Sequence, residues 1–301
     1  MKKEIKSRQI KRLIAKAVPA VIILIALIVA AVEYFGTKQT TTDLSSLMSV
    51  SFIDVGQGDC ELIQCSGVNI LIDGGEAATA DFVVSELKSK GVEKLDMYII
   101  SHPHSDHMGA ASKIIDSFTV DKFVTTDFSE MNTPTSTIYE NMLYSLEKQP
   151  DCQYITVKAG DTFEVGELSF LVVSPSEETT DYNNMSIVVR VDYKNTRFLF
   201  TGDAEEEIEK EIIANGYDIK ANVLKVGHHG SSTSTCAEFL KAVSPEYAVI
   251  SCGADNSYGH PHKETTDLLK RCNVTCFRTD ESGTITLYSD GNKIITEDNA
   301  A

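Results

Sequence analysis

His102-Pro103-His104-Ser105-Asp106-His107 stands directly after the apolar run Leu95–Ile100, and no other stretch says as much about the chain. Imidazole is the commonest neutral ligand of divalent transition metals, and a neighbouring carboxylate supplies compensating charge. A strand ending in such a cluster delivers its donors to a loop at a sheet edge, within reach of one ion or of two close together. The chain has 7 His among 301 residues, and three of them fall in these six positions, a density that ordinary packing does not explain. The other four are also grouped. His228 and His229 lie in Leu224-Lys225-Val226-Gly227-His228-His229-Gly230-Ser231, and His260 and His262 in Tyr258-Gly259-His260-Pro261-His262. Each pair comes after a strand-like apolar run, Val223–Val226 and Tyr247–Ile250. A further run, Arg197–Phe200, ends in Thr201-Gly202-Asp203, with an unpaired carboxylate. Several strands that each deliver a donor to one sheet edge are how an α/β scaffold builds a metal site.

The pattern around these motifs predicts the scaffold. Strands are expected at Val50–Val55, Cys60–Cys65 and Asn69–Ile72. Then come a helix over Ala80–Lys90, the strand Leu95–Ile100, a helix over Gly109–Phe118, the strand Lys122–Thr125 and a helix over Ser136–Glu147. A comparable second block has strands at Phe163–Val165, Leu168–Val173, Ser186–Asp192 and Arg197–Phe200. The acidic first turn of Glu205–Ala214 suits the positive end of a helix dipole. Strand Val223–Val226, helix Thr235–Val243, strand Tyr247–Ile250 and helix Lys263–Arg271 come next, and strands Val274–Arg278 and Thr284–Tyr288 close the chain. Two such blocks suggest two sheets packed face to face with helices outside, in one α/β domain.

The first 35 residues differ in kind. Lys2, Lys3, Lys6, Arg8, Lys11, Arg12 and Lys16 precede the uncharged stretch Ala17–Val32, which only Pro19 interrupts. Carried on through Phe35, this stretch just spans a bilayer as a helix. The positive flank keeps the N-terminus in the cytoplasm and sends the C-terminal portion outside. Val29-Ala30-Ala31 also suits a cleavage site, so a removed signal peptide and a secreted product is the competing reading. The expected order is a cytoplasmic basic segment (1–16), a transmembrane signal anchor (17–35), a Thr- and Ser-rich linker (36–47), the folded domain (48–292) and a tail (293–301). Seven of the 27 Lys and Arg, but two of the 44 Asp and Glu, precede residue 36, so the remainder carries about −22 against −17 for the whole chain. That acidity argues against a broad basic groove for nucleic acid, although bound metal ions offset it locally. Seven Cys is an odd number for an exported chain, and none shows the C-x-x-C spacing of a structural zinc site. Cys272 and Cys276 are the closest pair in the C-terminal half.

His-x-His-x-Asp-His, Thr-Gly-Asp and His-His-Gly-Ser together resemble the metallo-β-lactamase-fold hydrolases. Phe52-Ile53-Asp54-Val55-Gly56-Gln57-Gly58-Asp59, Leu71-Ile72-Asp73-Gly74-Gly75 and Tyr258-Gly259-His260-Pro261 are similar to the extracytoplasmic hydrolase domain of ComEC-type competence (DNA-uptake) proteins. The similarity covers about residues 48–290. Those proteins also carry a multi-helix membrane channel, whereas this chain offers at most one span, so a role as the DNA channel is not implied. The resemblance implies a four-layer αβ/βα sandwich with two divalent ions, Zn²⁺ or Mn²⁺, at one edge. His102 and His104 would hold the first ion, Asp106 and His107 the second, and Asp203 would bridge them. His228 or His229 would complete the second site. Alternation along Leu224–His228 points to His228 as the ligand and leaves His229 as supporting residue or proton donor. Many members supply a third His to the first ion, near Asn183-Asn184-Met185-Ser186, and here Asn184, Asn183 or water must fill that place. The first site is therefore expected to be weakly occupied.

Ions about 3.5–4 Å apart would share a hydroxide that attacks a phosphorus or carbonyl centre, with Asp106 both ligating and orienting the nucleophile. Asp73 is expected either to orient a ligating His or to form the turn before Gly74-Gly75. His229, His260 and His262 are the expected proton donors to the leaving group; His260 could instead cap or turn into the next helix. Ser231 would bind a phosphate oxygen or cap the helix after it. Gly56-Gln57-Gly58-Asp59 reads as a Gly-rich turn or as a set of N–H donors to phosphate. The expected function is an extracytoplasmic phosphodiesterase or nuclease acting on a phosphoester, DNA being the substrate the resemblance suggests. The alternatives are hydrolysis of another ester, such as a cell-envelope phosphocholine ester or a lactone, and a catalytically weak, metal-stabilised binding protein.

Overall fold

The computed structural model describes residues 44–128, 133–176 and 179–296. The basic segment, the anchor and most of the linker lie outside these described residues. Among the described residues, no helix is long and apolar enough to cross a membrane.

Two large sheets organise the domain. In the first, the spatial order is Ile294–Ile295, Ile285–Ser289, Met48–Phe52, Cys60–Cys65, Val68–Asp73, Met97–Ile99, Lys122–Thr125 and Gln153–Thr156. The second runs Thr275–Arg278, Tyr247–Ile250, Val223–Lys225, Thr196–Phe200, Val188–Tyr193, Leu168–Ser174 and Thr162–Val165. Strand alternation puts Met48, Val50 and Phe52 between the sheets, against Phe170, Val189, Val191 and Phe200. Phe52 and Phe200 stack across the gap at 6.2 Å. The opposite faces carry helices. Ala80–Ser89, Ala111–Ser117 and Thr137–Glu147 bury Val83, Leu87, Ile114 and Met142 on Leu62, Leu71, Tyr98 and Phe123. Glu206–Ala214, Ala237–Val243 and Lys263–Arg271 bury Ile208, Phe239, Leu240 and Leu269 on Leu199, Leu224, Ala248 and Ile250. The four-layer sandwich expected from the sequence is therefore present, each buried aliphatic or aromatic side chain contributing on the order of 1.5–3 kcal/mol.

Four elements depart from expectation. Leu95–Ile100 is not one strand: Lys94–Leu95 pairs with Thr119–Val120, and Met97–Ile99 enters the first sheet. Asp96 breaks the run, its N–H bonding to Asn69 O and its carboxylate accepting from Asn69 N. Gln153–Thr156 adds an edge strand parallel to Lys122–Thr125, with no apolar alternation to announce it. Ile285–Ser289 does not close the second block but returns to pair with Met48–Phe52, and Ile294–Ile295 extends the fold into the segment expected to be a tail. All seven cysteines are free.

The parallel strands position the site. Val68–Asp73, Met97–Ile99 and Lys122–Thr125 run parallel in one sheet, and Thr196–Phe200, Val223–Lys225 and Tyr247–Ile250 in the other. Asp73, His102, Asp203, His228 and His229 lie at or just beyond the C-terminal ends of these strands, and His260 lies in the loop that follows Tyr247–Ile250.

Candidate metal centre

His102 and His107 are fully buried, and Asp203 is nearly so. His102 Nε2 lies 3.0 Å from His104 Nδ1 and 3.8 Å from Asp203 Oδ2. On the other side of Asp203, its Oδ1 is 3.2 Å from His107 Nε2 and 3.5 Å from His229 Nε2, and His229 Nε2 is 3.2 Å from Asp106 Oδ2. Two clusters of donors thus share Asp203: His102, His104 and Asp203, and Asp59, His107, Asp203 and His229. His107 Nε2 and Asp203 Oδ1 are both buried without a hydrogen-bond partner. Leaving such groups unsatisfied costs about 1–3 kcal/mol each, and a cation between them would satisfy both. The donors are imidazole and carboxylate only, a set that suits Zn²⁺ or Mn²⁺. The residues present therefore fit divalent ions.

Burial and the neighbouring carboxylates set the charges within the cluster, and they act in opposite directions. Burial holds the His102 imidazole well below its usual pKa, so it is neutral and free to donate a lone pair. Burial also opposes charge on His107 and His229. There the carboxylates prevail: Asp203 and Asp73 raise His107, and Asp203 and Asp59 raise His229, well above the usual value. Asp203 is in turn held well below the carboxylate range, burial being outweighed by His229 and His107.

The supporting groups are specific. Asp73 accepts from His107 Nδ1 at 2.8 Å, from Ser101 N at 2.8 Å and from Ser101 Oγ at 2.6 Å. Asp73 also takes a left-handed φ of 56° at the turn before Gly74-Gly75. Asp59 escapes sequence reasoning as a side chain, since the Gly-rich turn that contains it points only to backbone donors. Its carboxylate is buried 3.3 Å from His229 Nδ1 and 2.7 Å from Lys225 Nζ. Burial opposes its ionisation, but Lys225 and His229 bring the carboxyl down to about 2. Lys225 escapes it too. The signal is a lone Lys inside an apolar strand, which is tolerated only with a partner.

Several expected placements are corrected. His229, 1 % exposed, enters the ligand cluster, whereas the His228 side chain is 22 % exposed at the rim. Strand alternation fails here because both faces of Val223–Lys225 are buried, Leu224 and Val226 under helices and Val223 and Lys225 between the sheets. Both histidines then adopt left-handed φ, 49° and 54°, which ends the alternation. His228 Nδ1 lies 3.4 Å from Glu205 Oε1, and its Nε2 is 3.7 Å from Asp203 Oδ2. Asn184 is turned away to accept from Glu205 N at 3.1 Å, whereas Asn183 lines the cleft with a buried Oδ1 that has no partner. Ser231 is buried, its Oγ bonded to Thr233 Oγ1 and Thr233 N, so it does not face the cleft. His262 faces away as well, accepting from Ser232 N. His260 lines the cleft, and burial together with His229 and His228 lowers it to about 4. The cleft itself is small, about 240 Å³, and no Lys or Arg lines it among the described residues.

A family model described as the Metallo-beta-lactamase superfamily matches residues 53–254. ComE operon protein 3 of Bacillus subtilis (strain 168) is 33% identical over 264 residues, covering 80% of this chain and 33% of that protein. Competence protein ComA of Neisseria gonorrhoeae is 32% identical over 243 residues, covering 79% of this chain and 32% of that one. The chain thus spans about a third of the length of these relatives. Among solved structures, the metallo-beta-lactamase fold protein YhfI from Bacillus subtilis superposes with a TM-score of 0.54 at 13% identity, over 81% of this chain and 100% of that one. At that identity the likeness concerns the fold alone.

Proposed function

The chain belongs to the metallo-beta-lactamase superfamily and is a metal-dependent hydrolase; from that premise we propose that it cleaves phosphodiesters, with DNA outside the cytoplasm as the substrate. The observation that carries this reading is the pair of donor clusters sharing Asp203. Such a pair suits the attacking and leaving oxygens of an in-line displacement. The competence relatives add the nucleic-acid context.

His102, His104 and Asp203 would hold one ion, and His107, Asp203 and His229 the other; Asp106, 3.2 Å from His229 Nε2, would be a further donor to it, while Asp59 of the same cluster is engaged by Lys225. Bound ions of this kind supply Lewis acidity, which makes water acidic near neutral pH and offsets charge gained by a phosphoryl oxygen. Asp73 fixes the tautomer of His107 through Nδ1 and so aims Nε2 at Asp203. The Ser251 carbonyl does the same for His229, 3.0 Å from its Nδ1. Asn183, rather than Asn184, is the asparagine that would stand in for the missing third histidine, because its buried side-chain oxygen has no partner and the residue lines the cleft with His104 and Asp203. His228, backed by Glu205, is the residue placed to hold a proton for the leaving oxygen, the role expected of His229 from the sequence. His260, lowered to about 4 by burial and by His229 and His228, would serve as a neutral imidazole that hydrogen-bonds substrate rather than as the acid.

The test is turnover by the purified chain, with Mn²⁺ or Zn²⁺, of single- and double-stranded DNA, bis-p-nitrophenyl phosphate and p-nitrophenyl phosphorylcholine. Cleavage of DNA and bis-p-nitrophenyl phosphate, abolished by Asp203→Ala, is expected. No DNA cleavage with either metal would refute the nuclease assignment. Turnover of the choline ester alone would favour the second reading, which the small cleft without basic side chains supports. Residues 17–35 would anchor the chain with this domain outside the cytoplasm. Protease accessibility in intact cells, with N-terminal sequencing of the mature chain, separates an anchor from a cleaved signal.

A further inference from the structure

Tyr258 is 66 % exposed, the most of any exposed large apolar side chain among the described residues, yet it lines the metal cleft. Its ring lies offset over the imidazole of His260, with centroids 5.6 Å apart and planes 22° from parallel. The backbone that carries it is pinned. Asn256 Oδ1 accepts from Tyr258 N at 3.2 Å and from His260 N at 3.0 Å, and Asn256 Nδ2 donates to Gly253 O at 2.8 Å and to His260 O at 2.6 Å. An aromatic held on a fixed turn, with His260 against one side and 66 % of its surface exposed, presents a rigid open face.

The dimensions of the cleft say what that face would meet. A volume of about 240 Å³ is below the ~300–1,000 Å³ of sites that enclose a whole small molecule. It admits a phosphate and its neighbouring atoms, and the remainder of the substrate must lie on the rim, where Tyr258 stands. No Lys or Arg lines the cleft among the described residues, so the cleft itself offers no cationic side chain to a strand. What the rim does offer is the exposed ring of Tyr258, and base–aromatic stacking on such a ring needs an unstacked base. Resting on the phosphodiester reading above, we infer that Tyr258 is a stacking platform for the nucleobase beside the scissile phosphate, and that the preferred substrates are single strands or frayed ends. A quaternary ammonium headgroup would call for a cage of aromatic faces. Tyr258 is the one Tyr, Phe or Trp lining the cleft among the described residues, which favours a flat base.

The full chain, loaded with Mn²⁺, is tested with an eight-nucleotide thymidine strand and an abasic strand of the same backbone. Affinity is read by fluorescence anisotropy on phosphorothioate versions, and KM on cleavable ones. The wild type is expected to prefer the base-bearing strand by about 5- to 150-fold. Tyr258→Ala brings this preference towards unity, and Tyr258→Phe keeps it. An unchanged preference in Tyr258→Ala, or none in the wild type, overturns the inference, as does displacement of the strand by phosphocholine in wild type but not in Tyr258→Ala. If neither strand is cleaved, the phosphodiester reading falls, and the anisotropy ratios alone then judge the stacking role.

Discussion

The exchange of places between His228 and His229, one at the rim and the other inside the donor cluster, has the sharpest single-residue consequence. His229→Ala should lose one bound metal equivalent, because its Nε2 faces Asp106 and Asp203 inside the cluster. His228→Ala should keep its metal and lose about 10²–10⁴-fold in kcat, the usual contribution of a positioned proton donor. Elemental analysis after gel filtration, alongside steady-state kinetics, reads both, and the reverse pattern would restore the assignment that strand alternation suggests. Asp73→Ala removes the partner of His107 Nδ1 and should weaken metal binding by about 10–100-fold in a competition titration. Asp73 is legible in the sequence because it ends a strand and precedes two glycines. Asp59 is not, because nothing local says that its carboxylate meets Lys225 and His229.

At the scale of elements, the loops that hold the donors depend on close backbone approach. Gly58 has a φ of 139°, and a β-carbon there would overlap the carbonyl oxygen of Asp106. Asp59 N also donates to that oxygen at 3.1 Å, tying the turn to the histidine-rich loop. Gly58→Ala should therefore cost about 1–3 kcal/mol and displace Asp106, read as a lower urea midpoint together with weaker metal binding. Between the sheets, Lys225→Met leaves Asp59 buried without its ammonium, at a cost of about 3–5 kcal/mol. The pH dependence carries a definite sign. Asp59 has a folded pKa of about 2, below the ordinary 3.8 of an aspartate, so its stabilisation is present above the unfolded value and disappears as pH falls towards 2. Urea titrations between pH 5 and 2 should show this loss in the wild type and a smaller one in Lys225→Met. Lys122–Thr125, Tyr247–Ile250 and Lys263–Arg271 are legible from end to end, since each is a short apolar or strongly amphipathic run with clear stops. Gln153–Thr156 is not, because an exposed edge strand needs only backbone pairing and imposes no apolar pattern.

For the whole molecule, the donors come from both sheets, so ion binding should couple to global stability. Ligand at 100 times its dissociation constant stabilises a native state by about 2.7 kcal/mol. Thermal unfolding should therefore shift upward with Mn²⁺ or Zn²⁺, return with chelator, and become indifferent to metal in Asp203→Ala. A shift that survives Asp203→Ala would place the stabilising ion elsewhere. The amino-acid sequence by itself determined the layered α/β architecture, the strand ends that bear histidine and aspartate, and the kind of chemistry those groups perform. These are legible because periodicity, chain breakers and residue type are local properties. The tertiary structure alone decided which of two adjacent histidines turns inward, which of two asparagines faces the cleft, and that Asp59 and Lys225 pair beneath the centre. Those outcomes depend on which face of the doubly buried strand Val223–Lys225 meets the opposing sheet and on how the turns at Asn183–Met185 and at His228 and His229 pack, and both are settled by contacts between segments far apart in the chain.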